Sequence, residues 1–345
     1  MHLIAAKYKP AMAESGHVLL RFLTQKSQKY VSGFSILCMK LLLPDSICII
    51  INVILIIRRD TVSKKLGLIG LGNMGSMILE QLLQMGVLNE EDLYIANRSR
   101  NKADSFAAKY PSVNVCESNS EIAKNCQNII VCVEPVSVPE VILEIIPFLN
   151  EESYLMISTA TVAYEDLHKL YNGKITKFMP TLNSSIRGGI TLVCHNEPVT
   201  EDEKTFFENL MSNISEVKTI KEEDMNLCHN LTGSLPAIIS EIMLEFTRAA
   251  SKHSINVTSE EIEHLAMVSL AGASKLFIEK SMNFKATIDR VSTKGGITYE
   301  GIKIYEKDLP SVFEKAFEAT IGKYTDITEK VRHIIDNSLS NAPFK

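Results

Sequence analysis

The chain has 345 residues, enough for two domains with separate cores. At 46% hydrophobic and 22% charged residues, with no Trp, its composition is that of an ordinary folded protein. Charge is unevenly divided: residues 1–62 hold eight Lys/Arg against three Asp/Glu, and the rest hold 28 against 38. An acidic body argues against nucleic acid as a partner, since phosphate binding needs a basic face.

Residues 1–62 differ from the remainder of the chain. Their strongest feature is the apolar run Ile47–Ile57, interrupted by Asn52 and followed by Arg58 and Arg59. At eleven residues it is too short for a bilayer core, which needs about 20, and no small-residue cleavage site follows it. Two readings stand side by side: a short anchor, or a segment outside the natural product, with translation starting at Val62. The first strand of the α/β pattern begins only at Lys64.

Lys65–Met77, KLGLIGLGNMGSM, organises the rest. A short apolar run reads as a buried strand, and Ile78, Leu79, Leu82, Leu83 and Met85 mark a helix. Between them lies Gly70-Leu71-Gly72-Asn73-Met74-Gly75, the G-x-G-x-x-G of a dinucleotide-binding turn in its strand–turn–helix context. Gly70 permits the tight turn, Gly72 lets a pyrophosphate approach the backbone, and Gly75 lets the helix pack close. The pyrophosphate would sit on the free N–H groups of the helix.

A second strand, Leu93–Ala96, ends at Asn97-Arg98-Ser99. An NAD site usually places Asp or Glu here for the ribose 2′-OH. None is present, whereas Asn97, Arg98, Ser99 and Lys102 offer donors and positive charge to a 2′-phosphate, so NADP(H) is the expected cofactor. Strands are expected at 113–116, 128–133, 154–158 and 175–179, with helices at 120–125, 138–146 and 164–170 between them. That alternation implies an α/β domain with a parallel sheet covered on both faces. Ligand-bearing tips would be Gly70–Gly75, Asn97–Ser99, Val133–Pro135, Ser158–Thr161 and Met179–Asn183. The seven cysteines form no C-x-x-C pair, and the eight histidines form no metal-binding spacing. A reducing, cytoplasmic setting fits, and no metal is expected.

Past Lys221 only helices are expected. One opens at Thr232–Ala237 with Pro236 in its first turn, and a second runs from Ser259, as N-cap, to Lys280. Residues 291–301 read as a glycine-rich loop, and a last helix runs from Pro310 to Asp336. From residues alone, Thr298 is a helix cap after a Gly turn.

Taken together these motifs resemble pyrroline-5-carboxylate reductase. Gly70–Gly75 matches the family's G-x-G-N-M-G, and Asn97-Arg98-Ser99 and Asn119 are shared. Met179-Pro180, Gly233-Ser234-Leu235-Pro236-Ala237 and Val291–Gly301 match three further segments, the whole covering residues 64–335. The resemblance implies a Rossmann-type dinucleotide-binding domain (63–224) followed by an all-helical dimerisation domain (225–340). It also implies a homodimer or higher homo-oligomer, and NADPH-dependent reduction of a cyclic imine carboxylate to L-proline. It assigns Gly295, Gly296 and Ile297 to substrate and Thr298 to the ring nitrogen as the catalytic residue. Gly70, Gly72, Asn73, Met74, Gly75, Asn97, Arg98, Ser99, Asn119, Val133 and Pro135 fall to the cofactor. Departures at Glu134, Thr181, Leu235, Lys294 and Ile297 are similar to a divergent branch, the late competence protein ComER type. An NADP-binding regulator with impaired turnover is therefore the alternative. A hydroxyacid dehydrogenase, which would need an acid/base such as Lys275, is the weaker third reading.

Overall fold

The structure, a computed structural model, describes residues 65–340, so both readings of residues 1–62 lie outside the described part. Eight strands form one sheet in the order β3-β2-β1-β4-β5-β6-β7-β8. The strands are β1 (Leu66–Ile69), β2 (Leu93–Ala96), β3 (Asn114–Val115), β4 (Asn128–Val131), β5 (Tyr154–Ile157), β6 (Lys174–Met179), β7 (Gly189–His195) and β8 (Ser215–Thr219). The first six are parallel, as the alternation implied. Strand β7 runs antiparallel to β6, and β8 lies parallel to β7. These last two, and the helix between them, were not anticipated.

Alternate residues of each strand face opposite sides, as a pleated strand requires. Leu66, Leu68, Ile130, Tyr154 and Met156 join one core with Ile78, Leu79 and Leu82 of α1 (Asn73–Gln84), and with Ala103 and Phe106 of α2 (Arg100–Lys109). Phe207, Leu210 and Met211 of α6 (Glu201–Ser212) complete it. Ile69, Ile129, Val131, Leu155 and Ile157 join the other core, under α3 (Asn119–Asn125), α4 (Val138–Ile145) and α5 (Tyr164–His168). The chain leaves β1 for β2 and β3 on one side and returns to β4 on the other. The crevice at the carboxyl ends of β1 and β4 is therefore the switch point where such sheets bind ligands.

The remaining helices are α7 (Met225–His229), α8 (Leu235–Ser251), α9 (Ser259–Glu279), α10 (Phe284–Val291) and α11 (Ile297–Ser340). A π-helical turn, Asn230–Ser234, joins α7 to α8, and Pro236 sits in the first turn of α8 as expected. Three expectations are corrected. The N-cap of α9 is Thr258, not Ser259, because Thr258 and Glu261 close a reciprocal capping box. The loop before the last helix is only Ser292–Gly296, since α11 begins at Ile297 and Gly301 lies inside it. Helix α11 also runs through Pro310 instead of starting there. Proline removes one intrahelical bond, and exposure around Glu306 leaves the freed carbonyl region open to water.

The helical half has almost no core of its own. Between Leu235 and Lys330 the single buried residue is Thr247. Side chains such as Leu265, Met267, Ile278 and Ile304 stand open, whereas the described part of the sheet domain exposes few large apolar side chains, among them Leu143, Phe148, Leu182 and Ile186. Only the last turns of α11 return to the sheet, where Val331 and Ile335 are fully buried. Full burial of two such side chains contributes about 3–6 kcal/mol.

Candidate active site

The turn after β1 divides its glycines by task. Gly70 has φ +103°, a left-handed conformation, and a Cβ there would lie 2.4 Å from the Cys132 carbonyl oxygen at the end of β4. At Gly75 a Cβ would lie 2.1 Å from the Gly70 carbonyl oxygen. Gly72 is different: nothing lies within 4 Å of its Cβ position. Strand end and helix start are thus pressed together at two glycines, and the third faces open space.

The amides of this turn are available to a ligand. Gly70 donates to Ala96, and Leu71 donates to Asn97 Oδ1 at 2.8 Å. Among the described residues no protein acceptor takes the amides of Gly72, Asn73, Met74 or Gly75. The first turn of α1 carries no acidic residue. This is the donor set and dipole end that an anion requires.

Beside the turn, a cleft of about 620 Å³ is lined by Gly72, Asn73, Ser76, Asn101, Lys102 and Lys109, with Ser185 from the segment after β6. Arg98 and Ser99 are exposed next to it. Arg98 makes no ion pair among the described residues, whereas Arg100 is held by Asp104 and Glu117. Asn97 is committed to the framework, because its amide also donates to the Ser99 carbonyl at 2.9 Å. Met74 packs partly into the core. Asn119 donates to Glu144 at 2.6 Å, joining α3 to α4. Val133 lies against Gly70, and Pro135 opens a short 3-10 turn after the exposed Glu134.

The substrate candidates lie elsewhere. Gly295 (φ +81°), Gly296 and the first residues of α11 are largely open, with Ile297 96% exposed. The Thr298 hydroxyl has no hydrogen-bond partner among the described residues, so it is not the cap that its neighbours suggested. Among the described residues no hydrogen bond joins 292–301 to the nucleotide domain.

Sequence reasoning missed the contacts that return α11 to the sheet. Tyr324 donates to the Ala160 carbonyl at 2.6 Å and Thr328 to the Thr161 carbonyl at 2.9 Å. Arg332 pairs with the buried Asp166. The available signal was a polar pair four residues apart just before the apolar pair Val331 and Ile335, on one helix stripe.

A second missed link involves Lys177. This fully buried lysine on β6 holds Glu222 Oε1 at 2.6 Å and lies 5.1 Å from the Tyr164 ring centroid. The same oxygen accepts the Tyr164 amide. Glu222 thereby ties the start of the helical segment to β6 and to the first residue of α5.

Known proteins share both the sequence pattern and the fold. Residues 222–327 match the family model described as pyrroline-5-carboxylate reductase dimerisation, and residues 65–161 match NADP oxidoreductase coenzyme F420-dependent. Pyrroline-5-carboxylate reductase 3 of Bacillus subtilis is 34% identical over 269 residues, 78% of this chain and 98% of that protein. The chain belongs to the pyrroline-5-carboxylate reductase family.

Within this reductase family, ComE operon protein 4 of Bacillus subtilis is 26% identical over 78% of the chain and 98% of its own length, in line with the divergent-branch likeness. A solved pyrroline-5-carboxylate reductase from Coxiella burnetii superposes with TM-score 0.69 at 27% identity, over 77% of this chain and 99% of that one. The Plasmodium falciparum pyrroline carboxylate reductase, solved with NADP bound, gives TM-score 0.69 at 23% identity, over 77% and 98%. The chain is thus an oxidoreductase-family member with a nucleotide-binding sheet and a dimerisation segment. No helix among the described residues is long and apolar enough to cross a membrane.

Proposed function

We propose that this chain reduces 1-pyrroline-5-carboxylate to L-proline with NADPH, at sites completed by a second copy of itself. The observation that carries the reading is the cradle at Gly72, where free amides at a helix N-terminus face open space between two close-packed glycines. Gly72, Asn73, Met74 and Gly75 would hold the pyrophosphate by backbone N–H groups, with Arg98, Ser99 and Lys102 at the 2′-phosphate. Bound NADPH supplies the hydride that the imine carbon accepts. The chain's own residues hold the substrate's carboxylate on the Gly295 amide and the first amides of α11, the Gly296 amide being taken by the Thr293 carbonyl, and offer the Thr298 hydroxyl to the ring nitrogen. Such orientation of reactants is most of what this chemistry asks of a protein.

The length of α11 supports a composite site. At 1.5 Å per residue, Thr298 lies about 40 Å along the helix from Tyr324, which touches the β5 tip of its own chain. A bend at Pro310 would shorten that only slightly. A pocket joining Thr298 to a β5 tip therefore takes the two from different copies. The uncovered apolar helices supply the surface for that pairing.

A second reading, a coenzyme-binding regulator without turnover, draws on Ile297, whose branched side chain stands at the proposed pocket, and on Glu134 beside the coenzyme's phosphates. NADPH oxidation with pyrroline-5-carboxylate, run beside a fluorescence titration with NADPH alone, separates the two. Saturable binding with turnover is expected. Binding without turnover selects the regulator, and no saturable binding overturns both.

A further inference from the structure

The segment Ser158–Ala163 follows the carboxyl end of β5, the strand next to β4 and so beside the switch point where the proposed reading puts the coenzyme. Its backbone is only partly satisfied locally: Ser158 donates to Val131 and Thr159 to Ile157. The carbonyls of Ala160 and Thr161 are instead taken by side chains 164 and 167 positions away, the hydroxyls of Tyr324 and Thr328. These two residues lie four apart on one face of α11. One turn further, Val331 and Ile335 are fully buried and Arg332 holds the Asp166 carboxylate, so the helix is anchored independently of the loop.

Two of the loop's hydroxyls are left open among the described residues. Among the described residues the buried hydroxyls of Thr159 and Thr161 have no hydrogen-bond partner, nor has that of Thr181 after β6. Folded proteins leave few such groups unpaired. A loop with its carbonyls pinned by a remote helix and its hydroxyls unspent is one held in shape for something outside the chain.

We infer that Tyr324 and Thr328 are positioning residues for the reaction: they fix the Ser158–Ala163 loop against which the coenzyme's ring and the imine are aligned. This rests on the proposed reductase reading. Because the same helix carries Thr298 at its far end, the clamp also sets where that end is presented to the second copy.

The test uses the full-length protein with four substitutions. Y324F and T328V each remove one hydroxyl. T328S keeps it, and R332Q breaks the outer ion pair without touching the loop's carbonyls. In Y324F and T328V, kcat is expected to fall about 10-fold or more with the imine's KM within about two-fold, as misalignment of bound reactants would produce. In the absence of coenzyme, amide hydrogen exchange over residues 158–163 is expected to quicken in both. T328S should restore both readouts, and R332Q should lower the melting temperature while leaving kcat in place. Unchanged kcat and loop protection in Y324F and T328V overturns the inference. So does an equal loss of kcat in R332Q, which would mark a purely structural role. If the unsubstituted protein oxidises no NADPH, the reductase reading fails, and exchange over residues 158–163 still decides whether the clamp holds the loop.

Discussion

The backbone amide of Leu71 donates to the side-chain carbonyl of Asn97 at 2.8 Å, and this bond ties the glycine turn to the tip of β2. Asn97 thus aligns two halves of a coenzyme cradle by bracing them. Asn97→Ala would leave a half-buried amide unpaired, and a loss of about 1–3 kcal/mol in urea unfolding is expected. Asn97→Asp keeps the accepting oxygen but sets a negative charge beside Arg98. It should unfold near the unsubstituted value while its NADPH affinity falls far more than its NADH affinity.

Gly72 and Gly75 make a contrasting pair. At Gly72 the backbone has φ −79° and open space, so Gly72→Ala should keep the melting temperature and lose NADPH binding by about 10-fold or more, because the methyl occupies the pyrophosphate's approach. At Gly75 the added methyl meets a backbone oxygen, which can move only with the strand. Gly75→Ala should cost about 2–3 kcal/mol of stability as an overpacked site. Equal behaviour of the two in thermal melts and NADPH titrations would remove the division of labour between these glycines.

Charge around the phosphates yields a third expectation. Arg98→Ala and Lys102→Ala should each weaken NADPH by about tenfold, near 1.4 kcal/mol, and barely affect NADH. Glu134 is exposed before the 3-10 turn. Glu134→Lys should tighten NADPH a few-fold at low salt, with the gain shrinking as ionic strength rises. Titrations at two salt concentrations measure both effects.

Site sharing can be read by complementation. Thr298→Ala removes the substrate-side hydroxyl, and Gly72→Ala disables the coenzyme side. If each site joins one copy's turn to the other's loop, a mixed dimer of the two variants contains one intact site. Random mixing should then recover about a quarter of full activity, since half the dimers are mixed and each has one working site. No recovery after verified subunit exchange would show that both loops serve the same copy's site.

His195 makes stability depend on pH. Tyr154 Oη lies 2.6 Å from Thr176 Oγ1, which lies 2.7 Å from His195 Nδ1, and His195 Nε2 lies 3.2 Å from Glu208. Among the described residues Tyr154 has no other acceptor, so it donates to Thr176, which donates to Nδ1, and the ring's remaining N–H points to Glu208. Protonating Nδ1 turns it from acceptor to donor, so one hydroxyl proton, of Thr176 or of Tyr154, loses its acceptor. Burial holds this histidine below its ordinary 6.5, opposed by Glu208 and Glu201 and aided by Lys204. As pH falls below about 6.5, the unfolded chain binds a proton that the folded one refuses, so stability drops; above that value it is fully retained. The melting temperature should therefore decline from about pH 7 downward. His195→Gln should flatten the slope in part, because burial lowers His229 in the same sense.

Local pattern determined much of this protein. The glycine turn, the first six strands and the helices between them follow from apolar runs of period 2 and 3.6, and each is satisfied within about twenty residues of chain. The resemblance carried by Gly70–Gly75 and Val291–Gly301 named the family. Tertiary structure decided what local pattern could not. The polar edge strand Ser215–Thr219 exists because β7 offers it a partner. Helix α11 continues through Pro310 because no other described element of its own chain packs around Glu306, where the proline frees a carbonyl. Asn97 braces the glycine turn against the tip of β2, and Tyr324 reaches Ala160 across 164 residues. The physical reason is the same in each case. A hydrogen bond between groups distant in sequence leaves no periodic trace in the chain, and forms only once two cores have brought its partners together.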